Sequence, residues 1–201
     1  LIKKKAFKLG IHFHELNVEK KFWDPRFLLM ILQKYINIKL LKYSDFSVTS
    51  NKIYAKWIRK YSLGKKTYIC PVHSNIEHKS NLKKKSKKVV VLFGTPGSRY
   101  EIYMNNYDQI NKWILKNDLI LYDIGPKINI EHFDKLIKKN KNIKILGKIS
   151  SIRLSKILSK AYYGIFSKPL DLVNKSTILA AFCKYKICPI NVENLNFLKK
   201  K

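Results

Sequence analysis

The chain has 201 residues, 46% of them hydrophobic, which is enough apolar material for one large core or two small ones and excludes global disorder. Its formal net charge of +29 at pH 7 raises nucleic acid as a partner, yet among the 42 cations only Arg26, Arg59, Arg99 and Arg153 carry the guanidinium fork that base and phosphate readers favour. The lysines are spread through every segment, so the charge reads as solvated lysine without a nucleic-acid footprint, and what it leaves open is attraction to an anionic lipid surface or an anionic substrate.

Leu1 to Lys5 carries three lysines and no cleavable apolar region, and with Phe197-Leu198-Lys199-Lys200-Lys201 at the other end the sequence reads as a piece of a longer protein. Leu9, Ile11 and Phe13 alternate, which predicts a short strand with His12 and His14 on its opposite side and Glu15 opening the loop beyond it. A His-Glu pair at the C-terminal end of a strand points into the ligand crevice of an α/β sheet. Lys21-Phe22-Trp23 is an aromatic loop, Asp24 an N-cap and Pro25 the first residue of a helix running to about Lys42. Phe27, Leu28, Ile31, Tyr35 and Ile38 recur at helical spacing, so this helix is predicted to face the core. Tyr43 to Ser50 is a strand, Asn51 to Tyr61 a helix with Ile53, Trp57 and Ile58 inward, and Thr67 to Val72 a strand. Strand, helix, strand, helix, strand with short connections means a parallel sheet with right-handed crossovers.

Cys70, His73 and His78 sit near one another, but no second clustered pair supports a metal, and three cysteines without a C-x-x-C pair read as reduced thiols of a cytosolic protein. Lys79 to Lys88 is polar and charged with only Leu82 apolar, which predicts a connector between a first domain, residues 1–78, and a second, residues 89–201. The second opens on Val89-Val90-Val91-Leu92-Phe93, a buried parallel strand, then the turn Gly94-Thr95-Pro96-Gly97-Ser98 and Arg99, with a helix over Tyr100 to Lys116. Strands are predicted over Leu119 to Gly125, Ile143 to Gly147, Tyr162 to Ser167 and Ile187 to Asn191, and helices over Ile130 to Asn140, Ser150 to Lys160 and Lys175 to Lys186, the last capped by Asn174. No apolar run reaches the roughly 18 to 20 residues that span a bilayer.

The order of these segments resembles a known family. His14-Glu15-Leu16, Ser44-Asp45-Phe46-Ser47-Val48-Thr49-Ser50, Pro71-Val72-His73-Ser74-Asn75-Ile76, Val91-Leu92-Phe93-Gly94 with Arg99, Tyr122-Asp123-Ile124-Gly125, and Lys175-Ser176-Thr177-Ile178-Leu179-Ala180-Ala181-Phe182 through Pro189 are similar, in that running order, to bacterial GT-B glycosyltransferases of the family 1/family 4 type met in cyanobacteria. The resemblance implies an α/β fold of two Rossmann-like, doubly wound domains, the N-terminal one incomplete here. It implies a transferase of the EC 2.4, hexosyltransferase-like class that moves sugar from a nucleotide-sugar donor to a glycan or lipid-linked acceptor in polysaccharide or glycolipid synthesis. Such an enzyme works in the cytoplasm, with a peripheral contact at the inner membrane face, without metal, cofactor or nucleic acid. The donor falls to the second domain, at Gly94, Gly97, Ser98, Arg99, Asp171, Lys175, Ser176 and Thr177, with Arg99 set against the diphosphate. His14 and Glu15 are the catalytic candidates facing it, His14 as base toward an acceptor hydroxyl or as a group steadying the sugar. One departure stands out. Where family 4 enzymes carry two glutamates, one of them on the ribose, this chain has Val173 and Ala181, with Asp171 or Lys175 as substitutes. That departure motivates the alternative of a catalytically inactive relative retained as a binding or scaffold partner. A dinucleotide dehydrogenase is disfavoured, because no G-x-G-x-x-G follows a strand.

Overall fold

A computed structural model describes residues 7–16, 24–25, 27–76, 85–130 and 140–193. The chain divides into two compact units, Leu1–Val72 and His73–Lys201. Both are α/β with wholly parallel pairing among the described strands.

In the first unit β1 (Gly10–Phe13), α1 (Phe27–Tyr43), β2 (Phe46–Thr49), α2 (Lys52–Tyr61) and β3 (Lys66–Ile69) follow in turn, and the strands lie in the order β1-β2-β3. Gly10 is required where β1 meets β2, since a Cβ there would stand 2.2 Å from Cζ of the Phe46 ring. Phe13, Leu41 and Ile58 form the buried centre, with Ile11, Tyr54 and Trp57 packed around them. The C-terminal carbonyls of α1, which no helical N–H reaches, are satisfied by Lys65, whose Nζ donates to Leu41 O at 2.9 Å and Lys42 O at 2.7 Å.

The expectation of a core-facing α1 is corrected by the structure. Leu41 is its buried residue, while Leu28, Ile31 and Tyr35 are exposed, Leu28 at 76%. The apolar residues of FLLMILQKYINIKLLKY ring the whole circumference, so spacing alone picks out no stripe.

The second unit contains β4 (Ser86–Phe93), α3 (Pro96–Lys116), β5 (Ile120–Ile124), β6 (Ile143–Gly147), α4 (Ser151–Lys160), β7 (Ala161–Phe166), a 3-10 helix (Leu170–Lys175), α5 (Thr177–Lys184) and β8 (Cys188–Asn191). Its strand order is β6-β5-β4-β7-β8, with Val90, Val91 and Leu92 of the central strand fully buried. One core joins Val90 and Leu92 to Ile102, Tyr103, Ile110 and Ile114 of α3; the other joins Val91 to Leu158 of α4 and to Ala181 and Phe182 of α5. Helices on both faces, with the strand order turning back at β4, make this sheet doubly wound.

Three boundaries differ from the sequence reading. β4 starts at Ser86, so Ser86 to Lys88 are strand and not connector. α3 starts at Pro96, four residues ahead of Tyr100, because Thr95 is an N-cap and a proline fits the first helical position, where no N–H is needed. α5 starts at Thr177 with Ser176 as its cap, and Asn174 lies within the 3-10 turn before it. Residues 131–139 of the helix expected over Ile130 to Asn140, the loop Lys21 to Trp23, His78, and the connector residues 79–84 lie outside the described residues.

Candidate functional site

In an open parallel sheet ligands sit beyond the C-terminal strand ends where the strand order reverses, here between β4 and β7. β4 ends in Phe93 and Gly94. The Gly94 N–H donates to Ile124 O at 3.2 Å, holding the turn against β5, and Gly94 has φ +151°. A Cβ on Gly94 would stand 3.0 Å from Ser98 Oγ and 3.2 Å from Ile178 Cδ1. The turn after β4 therefore packs directly on the first turn of α5, and the N-termini of α3 and α5 converge.

Each N-terminus is built locally. Thr95 Oγ1 accepts from Ser98 N at 3.4 Å, while Ser176 Oγ accepts from Leu179 N at 3.1 Å. Gly94, Ser98, Ser176 and Thr177, expected at the donor, are thus brought to one place, with Thr177 exposed and Ser176 buried. Gly97, in the first turn of α3, faces open space, with nothing within 4 Å of a Cβ placed on it. Asp171 lies in the first turn of the 3-10 helix, exposed, and Lys175 closes it, half-buried. Parallel helix N-termini carry partial positive charge and free N–H groups, which suits an anion.

Arg99 stands apart from this group. Sequence reasoning set it as a cation facing the diphosphate; the structure buries it at 1% exposure. Its NH1 donates to Asp123 Oδ1 and its NH2 to the Pro126 carbonyl, both ligands from the end of β5. The turn residue is helical, one turn into α3, so its side chain points back into the sheet rather than out over the turn. Asp123 is fully buried, and burial pushes its carboxyl above the ordinary range, an effect opposed by the Arg99 guanidinium and, more weakly, by the Tyr103 hydroxyl. The same burial, reinforced by the Asp123 charge, pushes the Tyr103 phenol well up. Gly125 closes the cluster, because a Cβ on it would lie 2.3 Å from Gly94 O and 2.9 Å from Arg99 Nε. Arg99 acts on the turn by tying the start of α3, just beyond it, to the end of β5 and the loop that follows.

Sequence reasoning missed Asp123 as the partner of Arg99, and a second polar cluster at the ends of β7 and β8. Ser167 Oγ donates to Glu193 Oε2 at 2.5 Å, and Asn191 Nδ2 donates to Lys168 O at 2.7 Å while its Oδ1 accepts from Lys168 N at 3.2 Å. Asn191 and Glu193, polar residues straight after an apolar strand, were the available signal. Ala181 is fully buried against the sheet and Val173 half-buried. Neither place offers a carboxylate.

In the first unit His12 and His14 project on one side of β1, exposed, with ring centroids 6.4 Å apart. Glu15 is held, its Oε2 accepting from Tyr54 OH of α2 at 2.9 Å. No group of three His, Cys, Asp or Glu placed to hold a metal occurs among the described residues. Cys70, Cys183 and Cys188 are all free and exposed. No described helix is long and apolar enough to cross a membrane.

No protein-family model and no curated protein matches the sequence. Solved structures do match. Over 95% of this chain and 42% of its own, TarM superposes with a TM-score of 0.53 at 13% identity. The pneumococcal O-GlcNAc transferase GtfA, solved with UDP and GlcNAc, matches over 83% of this chain and 34% of its own, TM-score 0.52, 10% identity. Sucrose-phosphate synthase from Thermosynechococcus elongatus matches over 98% and 53%, TM-score 0.50, 14% identity. The chain spans between a third and about half of the length of these proteins. The likeness shows that it has the GT-B glycosyltransferase fold of Rossmann-like α/β units.

Proposed function

We propose that the chain transfers a sugar from a nucleotide-activated donor to a glycan or lipid-linked acceptor, with the second unit serving the donor and the first the acceptor. The observation that carries the reading is the contact of the Gly94 turn with Ile178, which sets two helix N-termini beside one strand end at the reversal of the sheet. That arrangement suits a diphosphate: the N–H groups at Gly97 and Thr177, with Ser98 and Lys175 beside them, stabilise the charge that grows on the leaving phosphate as the bond to the sugar breaks. Asp171 takes the ribose. The acceptor hydroxyl forms the new bond and gives its proton to His14, exposed at the end of β1, with Glu15 and Tyr54 steadying the loop. GtfA carrying UDP in a shared fold supports a nucleotide-linked donor.

Isothermal titration of the chain with UDP, GDP, ADP, CDP and dTDP tests this. One or more should bind, and Lys175→Ala should weaken that binding about tenfold, the loss of one charge-assisted contact. Absence of binding to every one of them overturns it. A second reading, an inactive relative that binds a partner, is favoured by the buried Ala181 and half-buried Val173 where glutamates are expected. Donor hydrolysis or sugar transfer by the chain rules that reading out.

A further inference from the structure

The end of β2 holds three consecutive polar residues, Thr49, Ser50 and Asn51, each fully buried. Thr49 Oγ1, Ser50 Oγ and Asn51 Nδ2 find no hydrogen-bond partner among the described residues. Buried polar groups are nearly always paired, because an unpaired one forfeits its hydration without return. Three in sequence at one strand end call for an occupant.

Their place narrows its chemistry. Asn51 is the N-cap of the ten-residue helix α2, its Oδ1 accepting from Tyr54 N at 2.8 Å and its carbonyl from Ala55 N at 3.1 Å. Those bonds hold the planar carboxamide over the first turn, and Nδ2 of the same carboxamide remains there unmatched. The N–H groups of Lys52 and Ile53 precede the reach of the helix's own carbonyls. β1 and β3 end beside this point, Phe13 opposite Thr49 on one side and Ile69 on the other, so that His14 and Cys70 flank Ser50. What the site offers is a donor amide, two hydroxyls able to donate and a helix N-terminus, with no carboxylate of its own triplet to oppose an anion.

We propose that the N-terminus of α2 with Thr49, Ser50 and Asn51 is a binding site for a phosphoryl group, a monoester dianion carried by the acceptor. This rests on the reading of the first unit as the acceptor side, and it adds the acceptor's charge: a phosphate anchored here sets the rest of the acceptor beside His14.

Thermal unfolding of the chain with inorganic phosphate tests the site. Phosphate at about ten times its Kd should raise Tm by about 3–6 °C. Lysines elsewhere bind phosphate too, so the comparison is between variants at fixed ionic strength. Asn51→Asp keeps the oxygen that caps α2 but replaces the donor with a negative charge, and it should abolish the phosphate shift. Thr49→Val and Ser50→Ala remove unmatched hydroxyls; each should raise the phosphate-free Tm by about 2–4 °C and at least halve the phosphate shift. An unchanged shift in all three variants, no shift in the native chain, or a phosphate-free Tm that falls in Thr49→Val and Ser50→Ala overturns the proposal, the last because it means that a water or protein group already satisfies them. Glycerol 1-phosphate in solution and phosphatidic acid in phosphatidylcholine vesicles then separate a soluble from a lipid-borne phosphate. Nucleoside diphosphate titration of Asn51→Asp keeps the two readings apart: donor binding retained while phosphate is lost concerns this site alone, and phosphate retained without donor binding counts against the transferase reading alone.

Discussion

Replacing Arg99 by Met separates two pictures of this residue that differ several-fold in energy. A cation presented from a surface turn contributes about 0–1 kcal/mol to stability, since water and salt screen it. Arg99 is instead 1% exposed, with Asp123 wholly buried beside it and the Pro126 carbonyl on its second nitrogen. Taking one member from a buried pair leaves the other charged without compensation and costs about 3–5 kcal/mol. For a chain of this size each kcal/mol moves Tm by about 2–4 °C, so Arg99→Met should lower Tm by about 6–20 °C. Asp123→Leu alone should do the same. The double variant Arg99→Met/Asp123→Leu should recover most of the loss, because burying two apolar side chains in place of an ion pair is about neutral or better. Urea unfolding followed by circular dichroism gives the four free energies of the cycle, and the coupling should be at least about 2 kcal/mol. A loss under about 1 kcal/mol in Arg99→Met, or singles that simply add in the double, refutes the buried-lock assignment.

The same cluster fixes a pH dependence: burial raises the Asp123 carboxyl, so the folded chain binds a proton there more tightly than the unfolded chain and this group's contribution to stability falls as pH rises through the ordinary carboxylate range and up to the raised folded value. As pH rises from about 4, the ordinary carboxylate value, the native chain should therefore lose stability relative to the Arg99→Met/Asp123→Leu variant, and chemical denaturation at each pH reads the difference. Gly125→Ala should destabilise by about 1–3 kcal/mol and weaken nucleoside diphosphate binding, since its Cβ would meet a backbone oxygen, Gly94 O, at 2.3 Å and neither strand end is free to yield. Gly97→Ala should act oppositely on stability, adding about 0.5–1 kcal/mol to a helix whose first turn has open space there, while lowering nucleotide affinity if the ligand needs that approach; unfolding and titration on one sample check both. Lys65→Met should cost about 0.5–1.5 kcal/mol, the net worth of its hydrogen bonds to the carbonyls of Leu41, which keeps Ser44 Oγ at 3.0 Å, and Lys42, visible as a lower urea midpoint with an unchanged slope.

Much of this architecture was legible because buried parallel strands are short apolar runs. Val89 to Phe93 reads as a buried parallel strand and stands at the centre of its sheet, and the alternation of apolar runs with amphipathic stretches reads as the parallel α/β pairing that the structure has. Helix starts were less legible, since capping is a competition between neighbours. Ser176 caps α5 in place of Asn174, and Thr95 starts α3 ahead of Tyr100, because each hydroxyl reaches the N–H three residues on, at Leu179 and Ser98. The exposure of α1 was not legible at all: apolar residues around a full circumference say that a helix is to be covered, not by what.

Arg99 shows where sequence reasoning about a site stops. Its type and place, a guanidinium just after a glycine turn at a strand end, fitted an anion-binding cation, and nothing in the local sequence distinguishes a side chain that reaches out from one that reaches in. The deciding residue lies 24 positions away, where Asp123 occupies a strand that periodicity reads as apolar. A buried carboxylate in such a strand is costly without a partner, so the presence of Asp123 in Ile120–Ile124 was itself the signal that a cation had to be buried nearby. Glycine completes the inference: Gly125 has no room for a Cβ because the turn oxygen of Gly94 and the Arg99 side chain both crowd it. The lock and the candidate phosphate turn are thus one construction. The ion pair ties the start of α3 to the end of β5, the glycines let the strand ends touch, and the helix N-termini of α3 and α5 face the space left beyond them. A nucleotide titration on Arg99→Met/Asp123→Leu therefore measures positioning apart from stability: the fold should survive while affinity falls, and undiminished affinity would mean that the turn holds its geometry without the pair.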